Sequence, residues 1–339
     1  MAARCVKRSG KTSRRGLTAS LEYYASQIYN ALPPYPARVR SLLYLEGTGE
    51  DMRNILRTWR LTASIGGLLL TAQAGYSAAQ QPNVEEIVKK SVAVNDASWK
   101  AAPNYSYNEQ DVSMKLDDSG GVVSKQQKMY RVLMINGSPY NELIRLDGEP
   151  LSVTQKAQEQ SKLKAEVKRR NHETKSATQA RIEKYKSGRA EEHLLMTQMT
   201  SAFHFKYAGE EVVRGHTCYV LDALPKPDYQ PPVEKARVLT GMNGRMWIDK
   251  ATYNWVRVTA KVIKPVEFGY FIAKVRPGTQ FELNQDPIEG NVWLPVHFSQ
   301  AVNARVLGFY GIRTREEEHY SGYRRAETAL LTGAQEAGR

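Results

Sequence analysis

The sequence predicts an α+β protein made mainly of antiparallel β structure, with about ten or eleven strands, short covering helices and one long charged helical insertion. Strand-like alternation of apolar and polar residues runs almost unbroken from residue 203 to residue 323, which favours a single large sheet. Residues 151–187 contain no glycine or proline and are dense in glutamine, lysine, glutamate and arginine, which favours a helix.

The first predicted element is a short amphipathic helix that follows residue 83. Apolar side chains recur at helical spacing from Val84 to Val92, and Asn83 can cap the helix through its side-chain oxygen. The pattern predicts a helix over residues 84–95, whose apolar side can cover part of a sheet.

Three strands joined by tight turns are predicted next. The alternating stretch 105–116 is followed by DDSGG at residues 117–121, and the stretch 122–135 reads as its partner strand. Asn136 and Gly137 form a second hairpin signal before a third strand. Strands joined by such turns pair antiparallel, so this part of the chain is predicted to be a meander.

The charged insertion, residues 151–187, has a thin apolar stripe in which Leu163 and Val167 lie one helical turn apart. It is interpreted either as a solvated helical arm or as a basic face for anionic lipid or a partner protein. Gly188 is expected to break this helix, and residues 189–203 are predicted to form a second covering helix with a stronger apolar face.

The rest of the chain reads as strands and loops. The proline-rich segment 225–232 is predicted to be a loop, because proline cannot occupy the interior of a sheet. Residues 238–240 are predicted to form a short strand, and residues 241–244 a hairpin turn that contains glycine.

The apolar face of the sheet is the candidate ligand site. In the strand 255–263 apolar residues alternate with polar ones, which predicts one buried and one wet face. The predicted helices are short for so many strands, so they either complete a filled core or leave an apolar gap that binds a ligand. The residues predicted to line such a cavity are Val256, Val258, Ala260, Val262, Trp247, Phe271, Phe281, Trp293 and Phe298.

Residues 52–79 read as a secretory signal peptide. Arginines precede an uncharged stretch that begins at Leu61, and small residues near its end predict cleavage after Ala79. An uncleaved membrane anchor is the alternative. Met52 stands where such a peptide begins, so residues 1–51 are interpreted as an upstream extension from a misassigned start.

The mature chain is therefore predicted to be one exported domain, residues 80–323, followed by a flexible tail, residues 324–339. Cys218 is the one cysteine after the leader and is interpreted as a buried strand residue. Because no cysteine directly follows the apolar stretch, a lipoprotein anchor is not expected, and the protein is predicted to be free in the periplasm or secreted.

The positive charge of the chain lies mainly in its leader and its arm. The whole sequence has 48 lysine and arginine residues and 35 aspartate and glutamate residues. Residues 1–79 contain 11 of the basic and 4 of the acidic residues, so residues 80–339 have a net charge of +6. Residues 151–193 alone carry 11 basic and 6 acidic residues. The remainder is nearly neutral, which argues against a nucleic-acid-binding protein.

No sequence motif of an enzyme stands out. HExxH, GxSxG, GxGxxG and the P-loop pattern are absent from the sequence. His204, His216 and a carboxylate such as Glu210 could meet across a hairpin, which is the best candidate for a metal or catalytic group. No catalytic residue, metal or cofactor is predicted.

The segment RMWIDKATYNWVRV resembles the late hairpin of the outer-membrane lipoprotein-sorting (LolA-like) proteins, with Trp247, Ile248, Asp249 and Arg257 at the corresponding positions. The resemblance extends over residues 83–323. It implies a curved, open half-barrel with helices over its mouth, and a hydrophobic cavity that shields lipoprotein acyl chains or membrane lipid without catalysis. The charged insertion departs from that pattern.

A regulatory protein of the same fold group is the alternative that the resemblance implies. RseB-like proteins share this fold and bind a membrane-anchored partner protein. In such a protein the insertion 151–187 would be a docking surface, and the partner would belong to the inner or outer membrane.

Overall fold

The computed structural model describes residues 82–269 and 272–326. The expected leader, with Met52 and the cleavage site after Ala79, lies outside the described residues, and so does Phe271. Of the expected tail, only the first residues are described, and the last strand continues through Arg325.

Within this part of the chain, thirteen strands form one sheet. The strands are β1 Tyr105–Leu116, β2 Val122–Ile135, β3 Ser138–Leu146, β4 Glu149–Pro150, β5 Phe203–Val213, β6 His216–Pro225, β7 Met242–Asp249, β8 Trp255–Val262, β9 Val266–Phe268, β10 Ala273–Val275, β11 Gln280–Glu289, β12 Val292–Val306 and β13 Tyr310–Arg325. The α-helices are α1 Val84–Ala101, α2 Val153–Asn171, α3 Lys175–Thr197 and α4 Met199–Ala202, and 3₁₀ turns occupy Ala102–Asn104 and Glu234–Gly241.

The sheet is antiparallel and open. Its strand order is β4-β3-β2-β1-β13-β12-β11-β8-β7-β6-β5, and the small strands β9 and β10 extend it beside β12. The predicted class, a mainly antiparallel α+β protein with a curved open half-barrel, is confirmed. The predicted number of strands was too low, because β4 and β9 have two and three residues and are too short to show alternation.

The two predicted hairpin turns of the first meander are present. Asn136 and Gly137 both have positive φ, 45° and 84°, as the two central residues of a tight hairpin turn require. In the other turn the Asp117 carboxylate accepts hydrogen bonds from the backbone N–H groups of Ser119 and Gly121. Local turn chemistry therefore sets the pairing of β1 with β2 and of β2 with β3.

Helix α1 begins as predicted and runs past the predicted end at residue 95. Asn83 caps it by accepting a hydrogen bond from the Glu86 N–H at 3.1 Å. The last turns bury polar side chains: the Asn95 amide donates to the Ser91 carbonyl, and Ser98 Oγ accepts from the backbone N–H of Trp293. Because these buried residues are polar, apolar periodicity does not reveal them.

The charged insertion forms two helices, α2 and α3, and the break lies at residues 172–174 rather than at Gly188. Thr174 caps α3 through its side chain, which accepts from the Ala177 N–H. Gly188 lies inside α3, where it is exposed and a Cβ would meet nothing within 4 Å. No helix of the described residues combines the length and the apolar character that a membrane span requires.

Residues 234–244 also differ from the prediction. The expected strand at 238–240 is part of a 3₁₀ turn, Glu234–Gly241, and Gly244 lies inside β7 rather than in a hairpin turn. A Cβ on Gly244 would lie 2.7 Å from the Thr259 carbonyl oxygen of the neighbouring strand. Glycine is therefore needed at this position because two strands approach closely, not because the chain turns.

Candidate functional site

One face of the sheet packs against α1 and is named the inner face; the opposite side is the outer face. Ile87 and Val88 of α1 are buried in one cluster with Val258, Phe298 and Tyr320 of the sheet. Residues that are directly paired on neighbouring antiparallel strands have side chains on the same face of the sheet. The strand register therefore shows which of the other side chains lie on the inner face and which on the outer face.

The inner face is apolar from β12 to β5. Its central row consists of buried residues paired on successive strands: Phe298, Leu283, Val258, Met246 and Leu221. The next row, named the small-residue row, consists of Phe281, Ala260, Gly244, Ala223 and Phe205. Its two phenylalanine rings are half-buried and contact both large core clusters.

The same face is acidic on β1 and β13. Glu109 and Asp111 come from β1, and Glu316 and Glu318 come from β13; these four residues are named the inner acidic cluster. Asp111 lies directly opposite Glu318, and alternate residues of a strand share a face. Glu109 and Glu316 are only 3% and 7% exposed.

Burial raises the pKa of three carboxyls in the inner acidic cluster. Burial, followed by the charges of Asp111 and Glu318, holds the pKa of Glu109 well above its usual range. Burial also raises the pKa of Asp111 to about 6 and that of Glu316 to about 7. At neutral pH the cluster therefore retains protons that exposed carboxyls would have lost.

Three buried oxygen atoms beside this cluster have no hydrogen-bond partner in the described part of the chain: Asp111 Oδ1, Thr314 Oγ1 and Gln300 Oε1. Gln300 is 7% exposed, and its amide nitrogen donates to Glu316 Oε2 at 2.7 Å, which aims the amide into the cluster. Buried polar atoms nearly always have a partner, so these three oxygens are exceptions among the buried polar groups of the sheet.

The structure brings together five of the nine residues predicted to line a cavity. Val258 and Phe298 lie in the central cluster under α1, and Phe281 contacts that cluster and its neighbour. Ala260 and Val262 follow along the same side of β8 and belong to the neighbouring cluster. These five side chains lie on the inner face.

The structure does not place Val256, Trp247 and Trp293 with those five. They pack in a separate cluster around Cys218. The cause is a β-bulge: Trp247 pairs with Arg257 while Ile248 pairs with Trp255, so Val256 is an extra residue in β8. Simple alternation along β8 therefore fails at its first residues.

The histidine constellation considered in the sequence does not form. His204 pairs with Leu224 and His216 with Val213, which places the two histidines at opposite ends of the β5–β6 hairpin. The Glu210 carboxylate instead lies 2.6 Å from the Lys250 ammonium. Across residues 82–269 and 272–326, no group of three or more histidine, cysteine, aspartate or glutamate side chains could hold a metal ion.

Cys218 is a buried strand residue, as predicted. It has no exposed surface, and burial raises the pKa of its thiol to about 11. The thiolate, which is the nucleophilic form, is therefore disfavoured at neutral pH.

The arm formed by α2 and α3 is held to the body of the protein at two places. The buried Arg170 guanidinium donates to the carbonyl oxygens of Ile135 and Ser138, each at 2.7 Å, near the turn between β2 and β3. Further along, the His193 ring stacks on Trp99 of α1 at 3.9 Å between centroids. Exposed lysines of the arm remain available to solvent: Lys156, Lys162, Lys164, Lys168, Lys175, Lys184 and Lys186.

A groove of about 270 Å³ opens on the outer face between β1, β2 and β3. Its lining is Gln110, Gln127, Met129, Arg145 and Gly148. This mostly polar lining suits neither an acyl chain nor nucleophilic catalysis.

The sequence analysis missed the inner acidic cluster. The run of three glutamates at residues 316–318 looks like a solvated charged face. No local signal in the sequence could have found it, because Glu109 and Asp111 meet Glu316 and Glu318 only through the pairing of β1 with β13, which are distant in the sequence.

Comparison of the sequence finds no matching family model and no matching curated protein. Among solved structures, the chain is similar to a LolA superfamily protein from Nitrosomonas europaea, with 12% identity over 72% of this chain and 93% of the other and a TM-score of 0.26. It is similar to a putative outer membrane lipoprotein-sorting protein domain from Vibrio parahaemolyticus, with 11% identity over 70% and 92% and a TM-score of 0.28. It is also similar to a chain of the MucA/MucB complex of Pseudomonas aeruginosa, with 9% identity over 68% and 93% and a TM-score of 0.18. At these identities and TM-scores, none of the three transfers a ligand or a partner to this chain.

Proposed function

We propose that this protein is an exported, non-catalytic binder or carrier of lipid acyl chains, those of lipoproteins included. The observation that carries the proposal is the small-residue row, in which Ala260, Gly244 and Ala223 contribute little or no side chain between two half-buried phenylalanines. An acyl chain laid along this row leaves water, and each buried methylene contributes about 0.8 kcal/mol. Such a binder needs apolar surface and an opening, not a catalytic group.

Export is part of this proposal. Residues 52–79 would direct the chain across the membrane and be removed after Ala79, which leaves a free periplasmic protein. N-terminal sequencing of the protein from its own host tests this step. A mature chain that begins at residue 80 supports it, whereas peptides from residues 1–51 in the precursor contradict a start at Met52.

Filling the small-residue row tests the binding site. Ala260→Trp is expected to reduce the uptake of a fluorescent fatty acid by about tenfold or more, because the indole would cover the small-residue row opposite Gly244, where the acyl chain is proposed to lie. The matched control is Lys261→Trp, which places the same ring on the exposed neighbour. Circular dichroism verifies that both variants fold, and unchanged uptake by a folded Ala260→Trp contradicts the proposal.

A regulator that binds a membrane partner protein is the second candidate. The observation that favours it is the arm, whose exposed lysines lie on helices held firmly by Arg170 and His193. Native mass spectrometry of protein purified from its own periplasm separates the two functions. Bound acyl lipid supports the carrier, whereas lipid-free protein that co-purifies with one membrane protein supports the regulator.

A further inference from the structure

The groove on the outer face, named the outer groove, has a volume of about 270 Å³ and is lined by Gln110, Gln127, Met129, Arg145 and Gly148. Within the described part of the chain, the side chains of Gln110, Gln127 and Arg145 form no hydrogen bond and no ion pair. The volume lies just below the range of about 300–1,000 Å³ that is usual for small-molecule sites. The outer groove therefore offers a small molecule both room and unused hydrogen-bonding groups.

Paired strands hold the polar side chains of the outer groove side by side. Gln110 of β1 lies directly opposite Met129 of β2, which lies directly opposite Arg145 of β3. Gln127 precedes Met129 by two residues and shares its face. The turn after β3 is fixed beside them, because the Gln127 N–H donates to Asp147 Oδ1 at 3.1 Å and the Asp147 N–H donates to the Gln127 carbonyl at 2.6 Å. The groove is thus built on three strands and a hydrogen-bonded turn.

The outer groove lies in a positively charged part of the sheet. Arg145 is the one charged residue of its lining, and the strand register places Lys125 of β2 and Arg315 of β13 on the same face. Side chains that form ion pairs with each other cancel in charge. Of the others, these three cations face two carboxylates, those of Glu317 on β13 and Asp147 in the turn. The balance of charge favours an anionic ligand.

The lining side chains indicate which chemical groups the ligand must carry. A guanidinium has five N–H donors in a planar fork and no acceptor, so Arg145 matches the two coplanar oxygens of a carboxylate. A carboxamide both donates and accepts, so Gln110 and Gln127 match hydroxyl groups, which do the same. The Met129 thioether supplies an apolar contact for the carbon skeleton between these groups.

We propose that the outer groove binds a small hydroxylated carboxylate, such as a sugar acid, with its carboxylate on the Arg145 guanidinium and its hydroxyls on the Gln110 and Gln127 amides. The site lies on the face opposite the small-residue row, so it does not depend on acyl-chain binding. It adds a polar ligand to a protein whose inner face is proposed to bind an apolar one.

The test compares small ligands that carry different parts of this chemistry. Glucuronate, glucose, propionate and glucose 6-phosphate are titrated into the protein at about pH 7, where the carboxylates are ionised, and dissociation constants are measured by saturation-transfer NMR. Glucuronate is expected to bind about tenfold more tightly than glucose, which lacks the carboxylate, and than propionate, which lacks the hydroxyls.

Two variants with the same change of charge locate the binding. Arg145→Gln is expected to abolish the preference for glucuronate over glucose, because it removes the bidentate partner of the carboxylate. Arg315→Gln removes an exposed cation from the same face but outside the lining, and it should keep the preference. Arg145 is exposed, so its variant should fold, which circular dichroism verifies. Fatty-acid uptake should be unchanged in both variants.

The remaining outcomes overturn the proposal in different ways. Equal binding of glucuronate and glucose shows that the carboxylate is not recognised, and equal binding of glucuronate and propionate shows that the hydroxyls are not. Tighter binding of glucose 6-phosphate replaces the carboxylate by a phosphate. An equal loss in Arg145→Gln and Arg315→Gln shows a general attraction to the basic face, and binding of none of the four ligands shows that the groove is not their site.

Discussion

The Glu316 carboxyl lies on β13 with Gln300 as its hydrogen-bond donor at 2.7 Å. Burial raises its pKa from an ordinary 4.5 to about 7, so the folded protein favours the protonated form. Removal of that proton leaves a charge in an apolar setting, which costs stability. A buried carboxyl of this kind links the free energy of unfolding to pH.

Glu316→Gln is expected to reduce the pH dependence of stability. The contribution of Glu316 is fully present below the unfolded-state pKa of 4.5 and is lost as the pH rises through the folded-state pKa of about 7. Between these values the unaltered protein should lose about 3 kcal/mol that the variant does not lose. Urea unfolding at a series of pH values measures the difference. Glu317→Gln is the control, and an equal slope in Glu316→Gln and the unaltered protein would contradict the assignment.

Single residues could be predicted from the sequence where their conformation depends only on neighbouring residues in the chain. Asn136 and Gly137 were identified correctly, because a tight turn imposes positive φ on those two residues whatever surrounds them. The burial of Glu316 was not predicted, because it depends on β12 and β1 lying on either side of β13. The next residue, Glu317, has the same side chain and a different environment.

At the scale of elements, α3 shows how tertiary contacts override helix propensity. A glycine inside a helix makes the helix about 1 kcal/mol less stable than an alanine would, yet α3 continues through Gly188 to Thr197. Beyond the glycine, the Arg189 guanidinium lies over the Trp99 ring and His193 Nε2 donates to the Asp96 carboxylate at 3.0 Å. These contacts with α1 hold the last turns of α3 in place.

Gly188→Ala is expected to stabilise α3 by up to about 1 kcal/mol. The glycine is exposed within the helix and a Cβ there meets no atom within 4 Å, so alanine lowers the entropy of the unfolded chain without a clash. Hydrogen exchange of the α3 amides should slow accordingly. Gly244→Ala is the contrasting variant, because its Cβ would lie 2.7 Å from the Thr259 oxygen and should destabilise the sheet. Faster exchange in Gly188→Ala would show that the glycine is needed.

In β8, the alternation of apolar and polar residues predicts the face of some side chains correctly and of others wrongly. Alternation correctly grouped Val258, Ala260 and Val262, which lie on the inner face. It grouped Val256 with them wrongly, because the bulge opposite Trp247 and Ile248 inserts one residue. A bulge depends on the partner strand, so the sequence of β8 alone does not show it.

At the scale of the whole molecule, composition and turn chemistry were enough for the fold class but not for the order of the strands. The meander β1-β2-β3 follows from its turns. The pairings of β8 with β11 and of β1 with β13 join segments that are distant in the sequence, and no local signal specifies them. The inner acidic cluster could not be predicted for the same reason, because it forms only where β1 pairs with β13.

The pairing of β1 with β13 has a consequence for the timing of folding. β1 is the first strand of the sheet to be synthesised, and its neighbour β13 is the last, with Ser106 opposite Arg324. Closing so large a loop makes this pairing slow. A chain that is threaded through a membrane from its N-terminus would emerge with β1 as an unprotected edge until its final strand arrived. In such a chain, the pairing of β1 with β13 would be the last step in the assembly of the sheet.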